Sequence, residues 1–288
     1  MKWPWMGLVV FAAALGTTDA GGQGRSEPAG PAERSAAAED WRVATPGRPG
    51  TDAGARPAAG QGLTAMARAA AANKYLFVFF WKEKSPQADA VWNVLQPAMG
   101  RLAEWADWTA VRITDPAEKP LVERFGVDRA PMPLVLALAP NGAITKAFPG
   151  KLEESQLRAA FVSPGTELCL KALQDRKLVL LCVGEPPPPQ NRLVVPAGVG
   201  QFKADPRYAR MTEVVLLDPR EPAEKDFLQE LRIDPRVGPV TVLMAPPGGV
   251  VGKFPGSVSK DQLVAKLATS QSACPDGKCG PNGCGPKR

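Results

Sequence analysis

The 288-residue chain contains no histidine. That absence removes Ser-His-Asp and Cys-His nucleophile pairs, histidine-based zinc sites and the Cys-x-x-Cys-His haem attachment, and most common hydrolase mechanisms go with them. A basic run, or an alternation of basic and aromatic residues, is also missing. The 35 Lys and Arg outnumber the 29 Asp and Glu by enough to give a net charge of +6, but they are scattered, which reads as solvated surface and excludes a nucleic-acid partner. No Gly-rich phosphate loop and no calcium loop occurs. The N-terminal apolar run, Trp5 to Leu15, has about 11 residues, too few to cross a bilayer, which needs roughly 20.

What that run does fit is a secretory signal peptide over residues 1–20: Lys2 precedes it, and the small residues Gly16 to Ala20 follow, with cleavage after Gly16 or Ala20. The expectation is a periplasmic or secreted protein with no stable membrane insertion. Residues 21–61 are mostly Ala, Gly, Pro, Arg and Ser, with little beyond Trp41 and Val43 to bury, and so read as a disordered linker.

The rest of the chain repeats itself. An offset of 103 places Lys74 on Lys177, Tyr75 to Phe80 on Leu178 to Val183, Gln87 on Gln190, and Val111 to Pro116 on Val214 to Pro219, with no gap between. After a three-residue insertion the offset becomes 106: Val127-Asp128 falls on Ile233-Asp234, Pro133 on Pro239, and Phe148-Pro149-Gly150 on Phe254-Pro255-Gly256. Two copies of one domain are expected, over 62–163 and 164–269, with a flexible tail at 270–288.

Each copy reads as helix, strand, weak helix, strand, helix, strand, strand, helix. In the first copy these span approximately 63–72, 75–81, 86–105, 109–114, 117–125, 133–139, 143–148 and 153–162. Tyr75 to Trp81 is a continuous apolar run suited to a strand buried on both faces, and Ser85-Pro86 marks a helix start, Ser as N-cap and Pro as first residue. Asn141-Gly142 and Pro247-Gly248 are hairpin turns, making the last two strands antiparallel, while the earlier strands pair in parallel by crossover. The fold class is α/β: two mixed sheets covered by helices.

The stretch KYLFVFFWKEKSPQA (74–88) resembles the start of a thioredoxin domain, and FGVDRAPMPLVLALAPNG (125–142) resembles that family's loop, cis-proline, strand and turn. The resemblance covers about residues 62–268 and implies two tandem thioredoxin-like domains. It implies a cis bond at Pro133, preceded by Met132; Pro239, preceded by Gly238, recurs at that place. The family's two redox cysteines are replaced by Ser85 and Ala88 in the first copy and by Pro188 and Asn191 in the second. A serine hydroxyl forms no mixed disulfide, and alanine offers no resolving thiol, so no thiol exchange is expected at either place.

Five cysteines remain. Cys169 and Cys182 align with Met66 and Phe79, core positions of the sister copy, and read as buried inert thiols ahead of a disulfide between them. Cys274, Cys279 and Cys284 lie in the tail as Cys-x4-Cys-x4-Cys. Structural or intermolecular disulfides, capture of a soft Cu or Zn ion, and no specific role all stay open there. Glu153-Glu154 and Lys82-Glu83-Lys84 read as solvent-facing.

The leading expectation is a non-catalytic, exported module that binds a polypeptide partner or client through a groove formed by Trp81, Lys84, Ser85, Met132 and Pro133, as redox-inactive thioredoxin-like domains do. The alternative is a thiol-disulfide or soft-metal handling protein working through the tail. A cross-linked component of an exported assembly is a third reading.

Overall fold

The computed structural model describes residues 60–185, 193–234, 236 and 238–272. The expected signal peptide, all but the last two residues of the linker, the loop carrying Pro188 and Asn191, and the tail with Cys274, Cys279 and Cys284 lie outside the described residues.

The first copy runs α1 (Gln61–Ala71), β1 (Tyr75–Trp81), α2 (Pro86–Arg101), β2 (Ala106–Arg112), α3 (Lys119–Phe125), β3 (Leu134–Leu138), β4 (Ile144–Pro149) and α4 (Glu154–Arg158). The second runs α5 (Pro164–Gln174), β5 (Leu178–Val183), α6 (Ala197–Ala204), β6 (Thr212–Leu217), α7 (Lys225–Glu230), β7 (Val240–Ala245), β8 (Gly249–Pro255) and α8 (Lys260–Ser272). Each copy forms one four-stranded sheet, in the orders β2-β1-β3-β4 and β6-β5-β7-β8. β1 pairs in parallel with β2 and antiparallel with β3, and β3 pairs antiparallel with β4; the second sheet repeats this. The antiparallel seat of β3 beside β1 is a pairing the sequence pattern left unspecified. Each copy is thus a mixed four-stranded sheet with flanking helices, the arrangement that the resemblance implies.

The central strand explains the apolar run. Because alternate residues face opposite sides of a sheet, Phe77 and Phe79 pack with Val91, Leu95 and Leu157 beneath α2 and α4, while Leu76, Val78 and Phe80 pack with Ala65, Ala69 and Leu121 beneath α1 and α3. With both faces and both edges of β1 covered, no polar residue fits between Leu76 and Phe80.

Three expected boundaries shift by three residues or more. The weak helix stops at Arg101, because Leu102 closes it by donating to Ala98 and Met99 carbonyls while Trp105 and Ala106 turn back to donate to Leu102. β2 therefore starts at Ala106, three residues before the expected strand. The last helix ends at Arg158, and the residues after it form a connector to the second copy.

The repeat is real, but its insertion lies elsewhere than the ungapped sequence match implies. Strand register pairs Tyr75 with Ala106 and Leu178 with Thr212, so β2 and β6 are already 106 residues apart. The end of α2 and the end of α6, Arg101 and Ala204, are still 103 apart. The extra three residues fall in the turn before β6, and Asp115-Pro116 corresponds to Glu221-Pro222, not to Asp218-Pro219. The second copy offers two acid-proline steps, and the ungapped match takes the wrong one.

Corrected this way, the equivalences extend to backbone detail. Asn73 and Arg176 both take positive φ, of 53° and 60°, at the ends of α1 and α5, and Gly150 and Gly256 both sit at φ 72°. Gly150 donates its N–H to Pro133 O at 2.7 Å, and Gly256 to Pro239 O at 2.8 Å. The cis bonds differ, however. Met132–Pro133 is cis as expected, whereas in the second copy the cis bond among the described residues is Pro246–Pro247, in the β7–β8 turn, and not Gly238–Pro239. Gly238 reaches that bend with a positive φ of 95°, a route closed to methionine.

Candidate functional site

β1 delivers the chain to the start of α2, and three loops meet there. Ser85 takes an extended backbone, φ −150° and ψ 154°, and its Oγ accepts the Ala88 N–H at 3.1 Å, with Pro86 first in the helix. This is the N-cap role expected of it. Ala88, at the other lost thiol position, is 7% exposed and belongs to the core under α2. Gln87 donates its side-chain amide to Gly150 O at 3.1 Å, and Gly150 in turn donates to Pro133, so the helix start, the end of β4 and the cis-proline loop are tied together.

The five groove residues gather at one end of the first sheet, but not on one face. The β1–β3 ladder ends at Phe80–Leu134, which puts Trp81 and Pro133 at the same pole. Trp81 leans on the core beneath α2, whereas Met132 leans on the core beneath α1 and α3. Ser85 is half-buried, Lys84 exposed and Pro133 buried. Trp81 is covered by Arg112, whose guanidinium carbon lies 5.4 Å from the indole centroid, an attraction between a cation and the negative face of a ring. Sequence spacing hides that partner; the parallel register, Trp81 opposite Arg112, makes it. Behind it, Trp92 meets Trp108 edge-on at 5.0 Å and Phe79 at 5.7 Å, extending a half-buried aromatic row along β2, the edge strand of the sheet.

The cysteines of the second copy lie on opposite faces of its sheet, which is why no disulfide joins them. Cys169 packs with the core beneath α5 and α7, Cys182 with that beneath α6 and α8, and both are free and buried. Burial pushes the Cys169 thiol up to about 12 and the Cys182 thiol up to about 11, so neither supplies a thiolate near neutral pH. Among the described residues no cluster of three or more metal-ligating side chains occurs. Glu153 and Glu154 are exposed as expected, Glu153 capping α4 and Glu154 pairing with Arg101.

A second candidate region, absent from the sequence reading, lies where the copies join. There Glu224, in a Pro-Ala-Glu turn, is buried and takes the N–H of Gly165 at the start of α5, as its counterpart Glu118 takes that of Gly62 at the start of α1 within the first copy. Glu224 also accepts from Ser163 Oγ at 2.6 Å, which fixes the connector. Tyr75 of β1 reaches across to the same place, accepting the Val162 N–H at 3.0 Å and donating to the Glu167 carboxylate of α5. Asn141 donates to Glu167 O at 2.9 Å, and Gln174 exchanges two bonds with the Ile144 backbone, at 2.8 and 2.7 Å. Leu170 of α5 enters the core of the first copy, and Phe161 stacks at a tilt on Tyr75, 4.7 Å between centroids. Burial raises the Glu167 carboxyl above its ordinary value; the Tyr75 bond opposes this and the Glu224 charge adds to it.

Beside this junction is a cleft of about 430 Å³, the size of a small-ligand site. The connector and the start of α5, over Ala159 to Thr166, form one wall with Thr145 and Leu170, and Ala223 of the Pro-Ala-Glu turn forms the other with Asp226, Phe227 and Glu230 of α7. Burial, and then the Asp226 charge, raise the Glu230 carboxyl. The Pro-Ala-Glu-Lys match at 116–119 and 222–225 is the one sequence signal that pointed here.

No protein-family model matches the chain, and no curated protein matches it in sequence. Among solved structures it is similar to the first two thioredoxin domains of Eps1p from Naumovozyma dairenensis, at 12% identity and TM-score 0.28, covering 75% of this chain and 98% of that one. It is similar to human ERp44, at 7% identity and TM-score 0.30, covering 74% of this chain and 90% of that one. It is also similar to a disulphide isomerase from Xylella fastidiosa, at 16% identity and TM-score 0.27, over 34% and 78% of the two chains.

Proposed function

We propose that this is an exported, non-catalytic thioredoxin-like protein that binds polypeptide at the pole where α2 starts and the cis Met132–Pro133 bond lies. The observation that carries the reading is the state of the two exchange positions. Ser85 Oγ is engaged in capping Ala88, and Ala88 is packed into the core, so neither position offers a thiol, which supports the non-catalytic reading. Among the described residues no backbone partner takes the N–H or carbonyl of Met132, so a short extended peptide has a strand edge to pair with there. Trp81 and Met132 flank that edge with adaptable apolar surface. Export is part of the proposal and rests on the Lys2–Leu15 pattern; cell fractionation that recovers the chain intact from the cytoplasm would remove that part.

The test is binding and turnover together. Unfolded polypeptide should bind with micromolar or weaker affinity, Trp81→Ala with Met132→Ala should lower that affinity at least tenfold, and insulin should not be reduced. Disulfide reduction that persists after replacement of Cys274, Cys279 and Cys284 would defeat the non-catalytic reading. Reduction lost with those replacements would move the function to the tail.

A further inference from the structure

We propose that the cleft between the two copies is a second polypeptide subsite, one that accepts a lysine or arginine next to an apolar side chain. This rests on the polypeptide-binding reading and adds to it a location and a chemical preference.

The cleft has the two features such a pair needs. Its apolar lining is Ala159, Phe161, Val162 and Leu170 from the junction, Ala223 from the Pro-Ala-Glu turn and Phe227 from α7. Its only charged lining groups among the described residues are two carboxylates, Asp226 and Glu230, one helical turn apart on the exposed side of α7. Neither makes an ion pair among the described residues, although ten such pairs form elsewhere. Two like charges held a turn apart beside apolar surface repel each other and lose hydration, as the raised Glu230 carboxyl reflects. A cation seated between them relieves both costs, and its attached apolar neighbour covers Phe161 and Phe227.

The shape favours a chain over a compact ligand. Phe161, Val162 and Ser163, the three residues between the turn after α4 and the start of α5, line the cleft in succession, with Ser163 extended at φ −68° and ψ 156°, so the cleft follows the chain there and offers room for a short peptide beside it. Tyr75 and Glu224 pin that segment at Val162 and Ser163, so the wall is formed before anything binds, which lowers the ordering cost of association.

The experiment uses the full chain and calorimetric titration with three probes: acetyl-Phe-Lys-Leu-Lys-amide, acetyl-Phe-Glu-Leu-Glu-amide and phenethylamine. The basic peptide should bind at least tenfold more tightly than the acidic one. Asp226→Asn with Glu230→Gln should weaken it at least tenfold, and Ala223→Lys, which places a cation at the same exposed wall, should do the same. The same peptide is titrated into the groove pair, Trp81→Ala with Met132→Ala, as the comparison. If the groove pair abolishes binding while the carboxylate pair leaves it unchanged, the cleft proposal is overturned and the groove reading stands. Equal binding of both peptides overturns the charge preference. Phenethylamine binding as tightly as the basic peptide, with the same dependence on Asp226 and Glu230, overturns the polypeptide assignment. No binding of the basic peptide, while unfolded polypeptide still binds with its dependence on Trp81 and Met132, overturns the cleft proposal and leaves the groove reading standing.

Discussion

The Tyr75 hydroxyl and the Glu167 carboxylate form a hydrogen bond that joins the first strand of one copy to the first helix of the next. The same hydroxyl accepts from Val162, so one phenol oxygen fixes the connector, the strand and the helix at once. Burial and the neighbouring Glu167 together push the phenol well above its ordinary range, and it stays a donor throughout the accessible pH scale.

Tyr75→Phe keeps the ring that packs on Phe161 and removes this oxygen, leaving the Val162 N–H and the Glu167 carboxylate short of a partner. A loss of about 1–3 kcal/mol in urea unfolding is expected. A change below a few tenths would show that water replaces the hydroxyl without cost.

Glu167→Gln tests the charge separately, since the amide oxygen can still accept from Tyr75. The folded Glu167 carboxyl lies above its unfolded value, so the folded chain holds this proton into a higher pH range. Its contribution is greatest below the ordinary carboxylate pKa and declines as pH rises through the folded value. The glutamine variant lacks that decline and should gain on the wild type between about pH 4 and about pH 7. Unfolding curves at the two pH values should diverge in that direction; a difference that is constant or reversed contradicts the assignment.

Ser85→Cys with Ala88→Cys restores the pair of thiols to an existing helix start. The thiol at 85 should titrate below the ordinary value of about 8.5, because the N-terminus of the 16-residue α2 favours the thiolate. Thiol counting before and after oxidation should show a new intrachain disulfide, and insulin reduction should rise above that of the wild type. Failure to oxidise would mean that the Ala88 position is too deeply packed to admit sulfur.

Two glycines of α6 predict opposite outcomes from one substitution. A Cβ at Gly198 would lie 2.0 Å from the Val258 carbonyl oxygen, whereas one at Gly200 meets nothing within 4 Å. Gly200→Ala should raise stability by about 0.4–1 kcal/mol through the unfolded chain. Gly198→Ala should lower it by more than that, since backbone before α8 must move. Thermal unfolding of the two variants side by side reads the contrast directly.

What could be read from the sequence was local and periodic. The unbroken run Tyr75–Trp81 announces a strand covered on both faces, and Ser85-Pro86 announces a cap, because both signals are carried by neighbours in the chain. Turn glycines and repeated prolines revealed the duplication, since backbone bends tolerate few residues. The insertion point was misread because Asp218-Pro219 and Glu221-Pro222 offer the same signal three residues apart, and only strand register separates them. Nothing beside Glu118 and Glu224 in the chain marks them for burial; it depends on Gly62 and Gly165, more than fifty residues away. The cleft was invisible for the same reason: its walls come from the connector and from α7, and nothing in either segment names the other.

Cys169 and Leu170 are neighbours in α5, yet the first belongs to the core of the second copy and the second to the core of the first. One helix is therefore a shared wall. A chain cut at the repeat boundary, after Ser163, gives an N-terminal half with a hole where Leu170 was and a C-terminal half with Leu170 turned to water. Either fragment expressed alone would carry a sticky surface, and melting of one copy would undermine the other. Moving one copy without the other therefore either bares Leu170 or leaves its place empty.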